Sequence, residues 1–272
     1  MVPVIGQGTW MIDGDQETER RAVATLRLGI DLGMTHIDTA EMYGNGRVEE
    51  LVGEAIAGRR NEVFLASKVL PSNASYEGTQ RACVRSLKRL RTDRLDLYML
   101  HWPGEHPVSE TMRAMEKLIA DGLIRYAGVS NCDVEDLAAA EHGLGRARLA
   151  TDQVLYHLLD RGIERRVLPY CTRREIAVVA YSPFGHGNFP APSSPGGRVL
   201  ALIAARYGRT QRQIALNFLT RHHNVFAIPK TTWPERAKEN AGSVGWTLAP
   251  EDIALIDATF PAPDHDVPLS VI

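Results

Sequence analysis

The chain has 272 residues, 44% of them hydrophobic and 24% charged, with a formal net charge of −2. That length suits one large α/β domain or two small ones, and the near-neutral balance argues against a dedicated nucleic-acid surface. No apolar run reaches the length of a membrane span, MVPVIGQGTW lacks the charged-then-apolar order of a secretory leader, and three scattered cysteines (Cys83, Cys132, Cys171) suit small core positions in a reducing cytoplasm.

From the N-terminus onward, apolar runs that read as strands alternate with helix-period segments. The strands are expected at VPVIGQG (2–8), HID (36–38), VFLAS (63–67), LDLYML (95–100), IRYAGV (124–129), LATDQV (149–154), IAVVAY (176–181) and VFAIP (225–229). Between the second and third, Val48, Leu51, Val52, Ala55 and Ile56 place one apolar stripe along a helix over 47–57. After the fourth, Met112, Met115, Leu118 and Ile119 repeat the pattern, opened by Pro107 and closed by Gly122. After the fifth, Asp133 reads as the N-cap of VEDLAAAEH, with Gly143 as its stop. APSSPGG (191–197) reads as a surface loop, and Pro234 as the first turn of a helix beyond the last strand.

This alternation predicts an α/β protein, a parallel sheet with crossover helices closed as a (β/α)8 TIM barrel, in one domain spanning 1–272. An open doubly wound sheet is the competing architecture. It would carry a G-x-G-x-x-G turn, and Gly44-Asn-Gly46, Gly143-Leu-Gly145 and Gly185-His-Gly187 all lack the third glycine or alanine in register.

In such a barrel the chemistry sits at the carboxyl ends of the strands. There the second run ends in Asp38, the third leads into Lys68, the fourth into His101 and the fifth into Ser130-Asn131. The sixth carries Gln153, the seventh ends in Tyr181-Ser182 and the eighth leads into Lys230, while Tyr43 follows Asp38 on a loop broken by Gly44 and Gly46. Taken singly, these residues fit plain roles as caps, surface lysines or core histidines. Gathered on one rim they do not, because burying charges and amides without a task is costly.

Asp38, Tyr43, Lys68 and His101 suggest a proton-transfer site. A free phenol titrates near about 10, too high to donate readily, and a neighbouring ammonium lowers that value. Asp38 would hold Lys68 charged, and His101 would orient a carbonyl oxygen or share the proton. The set suits a carbonyl oxygen gaining negative charge. No Ser or Cys is placed as a nucleophile, so the other rim residues read as the holder of a cofactor that delivers one.

The blocks GMTHIDTAEMYGNGRVEELVGEAI, VFLASKV, LDLYMLHWP, IRYAGVSN, DQVLYH, VVAYSPFG and IPKTTWPERAKEN, in that order, resemble the aldo-keto reductase family from about Val4 to Phe260. The resemblance implies NADPH-dependent reduction of aldehydes and ketones, with Tyr43 as general acid, Lys68 and Asp38 tuning it, and His101 orienting the carbonyl. It also implies NADPH contacts. Ser130, Asn131 and Gln153 would meet the nicotinamide carboxamide, Tyr181 would stack on the ring, and Ser182 with the backbone near Phe184 and Gly185 would follow the pyrophosphate. Lys230, Thr231 and Arg236 would meet the adenosine 2′-phosphate, with Glu239 and Asn240 at the adenine.

Departures from the family pattern are mild at Phe184, where leucine is common, and at Thr231, where serine is common. The N-terminal hairpin that closes the barrel floor in much of the family is shortened or absent. A short connection from His101 to Pro107 and a short tail after Pro261 predict an open, permissive pocket, with Trp10, Met42 and Trp102 as its walls; plain packing is the equal alternative for those three.

Rival readings are a Schiff-base aldolase using Lys68, a metal hydrolase, and an NADPH-binding sensor or regulatory subunit with little turnover. Asp38 opposes the first, since it would keep Lys68 cationic. Adjacent His222-His223 and the tail triplet Asp264-His265-Asp266 make poor ligand sets, so no metal site is expected. The expected partner is a small-molecule carbonyl substrate, with neither nucleic acid nor membrane, and a monomer is the default.

Overall fold

The computed structural model describes residues 2–272. Its frame is an eight-stranded sheet, paired in sequence order and parallel throughout. The strands are β1 (Gln7–Gly8), β2 (His36–Asp38), β3 (Phe64–Val69), β4 (Leu95–Leu100), β5 (Ile124–Ser130), β6 (Leu149–Leu155), β7 (Ala177–Tyr181) and β8 (Val225–Ala227). Helices α1 (Gln16–Asp31), α2 (Arg47–Ala55), α3 (Tyr76–Leu90), α4 (Val108–Ala120), α5 (Val134–Gly143) and α6 (Val167–Arg174) fill the first six crossovers. Two helices, α7 (Pro195–Tyr207) and α8 (Gln211–Leu219), separate β7 from β8, and α9 (Pro234–Ala241) and α10 (Pro250–Thr259) follow β8. Among the described residues no helix is long and apolar enough to cross a membrane.

The barrel closes where β1 meets β8. Ile5 bridges Ala227, Gly8 bridges Lys230, and the Gly6 amide donates to the Ala227 carbonyl at 2.8 Å. Two glycines permit this approach: a Cβ at Gly6 would lie 2.8 Å from the His36 carbonyl oxygen, and one at Gly8 only 2.6 Å from that of Ile228.

The strand assignments hold with adjusted ends. The first expected strand, 2–8, is regular only over Gln7–Gly8, since the residues before it pair singly with β8. The last stops at Ala227 instead of 229, because Pro229 has no N–H for the ladder; its carbonyl still accepts from Gly8. Only the first half of 191–197 is loop. Pro195 to Gly197 open α7, and the Ser194 hydroxyl accepts from the Gly197 amide at 3.0 Å.

Period-two alternation aims the functional side chains. Phe64, Ala66 and Lys68 share the inward face of β3, as Leu97, Met99 and His101 do for β4 and its continuation. Ala66, Leu97 and Met99 pack together inside the barrel, while a much larger core lies between strands and helices. Polar groups therefore sit above this apolar plug, at the carboxyl ends of the strands. Below it, His36, Phe64, Tyr126 and Phe226 line a cavity in the floor.

Candidate active site

Strand β2 ends in Asp38, and the chain then winds into a single 3-10 turn, Tyr43–Gly46, with Gly44 and Asn45 at φ of 54° and 51°. That left-handed turn follows Tyr43 and leads directly into α2. Lys68 is completely buried, and its ammonium donates to Asp38 Oδ2 at 2.7 Å, the Thr39 carbonyl at 2.9 Å and the Tyr43 hydroxyl at 3.2 Å. All three N–H protons are thus engaged. The Tyr43 oxygen accepts one of them, which leaves its own proton free to point elsewhere. Asp38 Oδ1 accepts from Gln153 Nε2 at 2.8 Å.

The His101 ring stands edge-on to Tyr43 at 5.7 Å between centroids, and its Nδ1 is enclosed without a partner. Burial, aided by the Lys68 cation, pushes the imidazole down to about 2, so the ring is neutral. Burial works to lower Lys68, but Asp38 and Tyr43 outweigh it and hold the ammonium above its ordinary range. This cation is no Schiff-base nucleophile. For Tyr43 the sequence-based expectation needs correction. Lys68 does pull the phenol down, yet desolvation is the larger effect, and the net direction is up. The hydroxyl is held protonated, with its ammonium partner already in place.

Beside this group, the Ser130 hydroxyl donates to the Gln153 carbonyl at 2.7 Å, and Asn131 Nδ2 donates to the His101 carbonyl at 3.1 Å. Asn131 adopts a left-handed φ of 56° and accepts from the Tyr181 hydroxyl at 2.8 Å. Gln153 braces the Asp38 carboxylate, a contact that sequence reasoning missed. Tyr43, His101, Ser130, Asn131, Gln153 and Tyr181 all line one cavity of about 130 Å3. Trp10, Met42 and Trp102 also line this cavity. The short tail contributes to the wall as well, through Val271 and Ile272.

A second cavity, of about 450 Å3, adjoins the first through Trp10, Ser182 and Lys230. Phe184, Thr231, Arg236, Glu239 and Asn240 line it. Gly185 does not; it turns the chain behind Phe184, donating to the Ser182 carbonyl at 2.8 Å with φ at 71°. The Thr231 hydroxyl accepts from the Trp233 amide at 3.0 Å, fixing the approach to α9. Three further residues border this cavity without having stood out in the sequence: His186, stacked on Trp10 at 5.0 Å, Phe189 and Arg212. They lie on the loop after β7 and the first turn of α8, where no strand-end pattern marks them.

An eight-stranded parallel barrel bearing a Tyr–Lys–Asp–His cluster at its mouth, next to a basic cleft, defines a class. The model of the Aldo/keto reductase family matches residues 4–260, and the chain belongs to that family of NADP-dependent oxidoreductases. It is 42% identical over 271 residues to the methylglyoxal reductase YeaE of Escherichia coli, covering 100% of this chain and 95% of the relative. It is 35% identical over 262 residues to a glyoxal reductase of Bacillus subtilis, with 94% and 88% covered. A crystal structure of a Klebsiella pneumoniae aldo/keto reductase with NADP and acetate superposes with a TM-score of 0.93 at 43% identity, covering 100% and 96% of the two chains.

The residues present fit such a cofactor. The second cavity offers two guanidiniums, an ammonium and a buried amide at Asn240, a donor set suited to a phosphorylated nucleoside, and it shares Trp10, Ser182 and Lys230 with the first cavity.

Proposed function

We propose that the protein reduces small neutral aldehydes, foremost α-oxoaldehydes such as methylglyoxal, to alcohols with NADPH, Tyr43 supplying the proton. One observation carries this reading: the Lys68 ammonium, fixed by Asp38 and Thr39, donates to the Tyr43 oxygen and leaves the phenolic proton for a substrate.

Lys230, Thr231 and Arg236 would hold the adenosine 2′-phosphate, Glu239 and Asn240 the adenine, and Ser182 with the Phe184–Gly185 backbone the pyrophosphate. Ser130, Asn131 and Gln153 would hold the carboxamide, and Tyr181 the face of the nicotinamide. When bound, NADPH supplies a hydride for the carbonyl carbon. Neutral His101 and the Tyr43 hydroxyl orient the carbonyl oxygen between them. As negative charge grows on that oxygen, Tyr43 releases its proton to it, and the phenolate left behind is stabilised by the adjacent Lys68 cation. Asp38 and Gln153 keep that cation in place throughout.

The lining of the pocket supports an uncharged substrate. Its walls include Trp10, Met42, Trp102, Val271 and Ile272, and Asp38 and Lys230 are the Asp, Glu, Lys or Arg side chains on its lining. Asp38 is tied to Lys68, and Lys230 also borders the larger cavity assigned to the cofactor phosphates.

NADPH oxidation followed by absorbance, across methylglyoxal, glyoxal, bulky ketones and acidic sugars, tests the proposal. The expected order puts the two α-oxoaldehydes first in kcat/KM. Tight NADPH binding without turnover of any carbonyl would instead favour a cofactor-sensing role.

A further inference from the structure

Arg212 stands on the second residue of α8, where a cation opposes the helix dipole. Its guanidinium carbon lies 4.8 Å from the ring centroids of both Phe184 and Phe189, which meet edge to face at 5.8 Å. The two rings fix the plane of the guanidinium. Among the described residues no carboxylate pairs with it, and it donates no hydrogen bond. It is half-buried in the wall of the larger cavity, with Arg236 as its chief charged neighbour and Glu239 a weaker one; burial and then Arg236 lower its pKa from the ordinary value, though it stays charged. A fork with five donors, aromatic support, a like-charged neighbour and no carboxylate in ion-pair contact is arranged for an anion that arrives with a ligand.

We propose that Arg212 is a second arm of the clamp on the adenosine 2′-phosphate and, with Arg236, sets the preference for NADPH over NADH. The inference rests on the NADPH reading above and extends it to a residue outside the strand ends and α9. Phe184 and Phe189 act through it, as the platform that keeps the fork facing the cavity. A dianionic phosphate between two guanidiniums removes their mutual repulsion, so binding relieves an electrostatic cost that the unliganded protein carries.

The test titrates NADPH and NADH against wild type, Arg212→Met, Arg212→Lys and Arg236→Ala by protein fluorescence, and records the melting temperature of each unliganded protein. Arg212→Met is expected to weaken NADPH on the order of 10- to 100-fold, the loss of a charge-assisted contact, and to leave NADH within about twofold. Arg212→Lys, a point charge without the planar stack, is expected to fall between. The unliganded Met variant should melt no lower than wild type, a result that a merely structural arginine would not give. Equal losses for both cofactors, which would move Arg212 to the pyrophosphate, or no loss for either, overturn the proposal. Failure of the underlying reading looks different: wild type then shows no preference for NADPH, Arg236→Ala is silent, and the Arg212 assignment falls with it.

Discussion

Lys68 engages all of its protons, and the site depends on where they go. A buried ammonium facing a buried carboxylate is stable only as a pair, since removing one partner strands the other charge. Lys68→Met is therefore expected to cost about 3–5 kcal/mol in urea unfolding, and adding Asp38→Asn should recover a large part of it. If the single change costs under about 1 kcal/mol, or the double recovers nothing, Lys68 and Asp38 do not act as a pair. The clustered residues Asp38, Tyr43, Lys68 and His101 were legible in the sequence because each closes or follows an apolar strand. The net direction of the Tyr43 shift was not, because it turns on burial, which no motif records. Arg212 was hidden for a related reason. In YGRTQRQ it reads as one of several basic residues on a solvated helix start, and only its place in the wall of the larger cavity, against Phe184 and Phe189, separates it from Arg209, which lies over Trp246.

Each barrel strand has one inward face with two ends, and β2 illustrates both. Its inward residues are His36 in the floor and Asp38 at the mouth. His36 is 2% exposed, lies edge-on to Phe64 at 5.4 Å, and has both ring nitrogens without partners. Desolvation holds it down at about 4, with Asp38 opposing that shift and Lys68 adding to it. The unfolded chain, titrating near about 6.5, takes up this proton first. Stability is accordingly full above about pH 6.5 and lost as the pH falls toward 4, by up to about 3 kcal/mol from this residue. His101 adds a loss of the same sign. His36→Leu should flatten the fall in melting temperature between pH 6.5 and 4 while leaving pH 8 nearly unchanged, because neither nitrogen has a partner to lose. An unaltered slope would show that His36 is charged in the folded protein or titrates normally. At this scale the long strands β3 to β7 were readable as buried apolar runs. The extent of β1 was not, since two close-approach glycines and single bridges define it more than residue type does.

Across the whole molecule, strand ends and connecting segments build different parts of the candidate site. Strand ends place Asp38, Lys68, His101, Ser130 and Gln153 on one hydrogen-bonded frame, and the loop after β7, the start of α8 and α9 supply the larger cavity. The sequence announced the frame through alternation. It did not announce how loops distant in sequence meet, such as Trp10 on His186, or how the tail brings Val271 and Ile272 to the pocket. The central claim is that this frame exists to let one phenol give up a proton. Its most direct test compares wild type and Tyr43→Phe for methylglyoxal reduction at saturating NADPH, with NADPH affinity and circular dichroism measured on the same samples. The account predicts a fall in kcat of roughly 10²- to 10⁴-fold with cofactor affinity and fold unchanged. Turnover near the wild-type rate in a correctly folded Tyr43→Phe protein would contradict it.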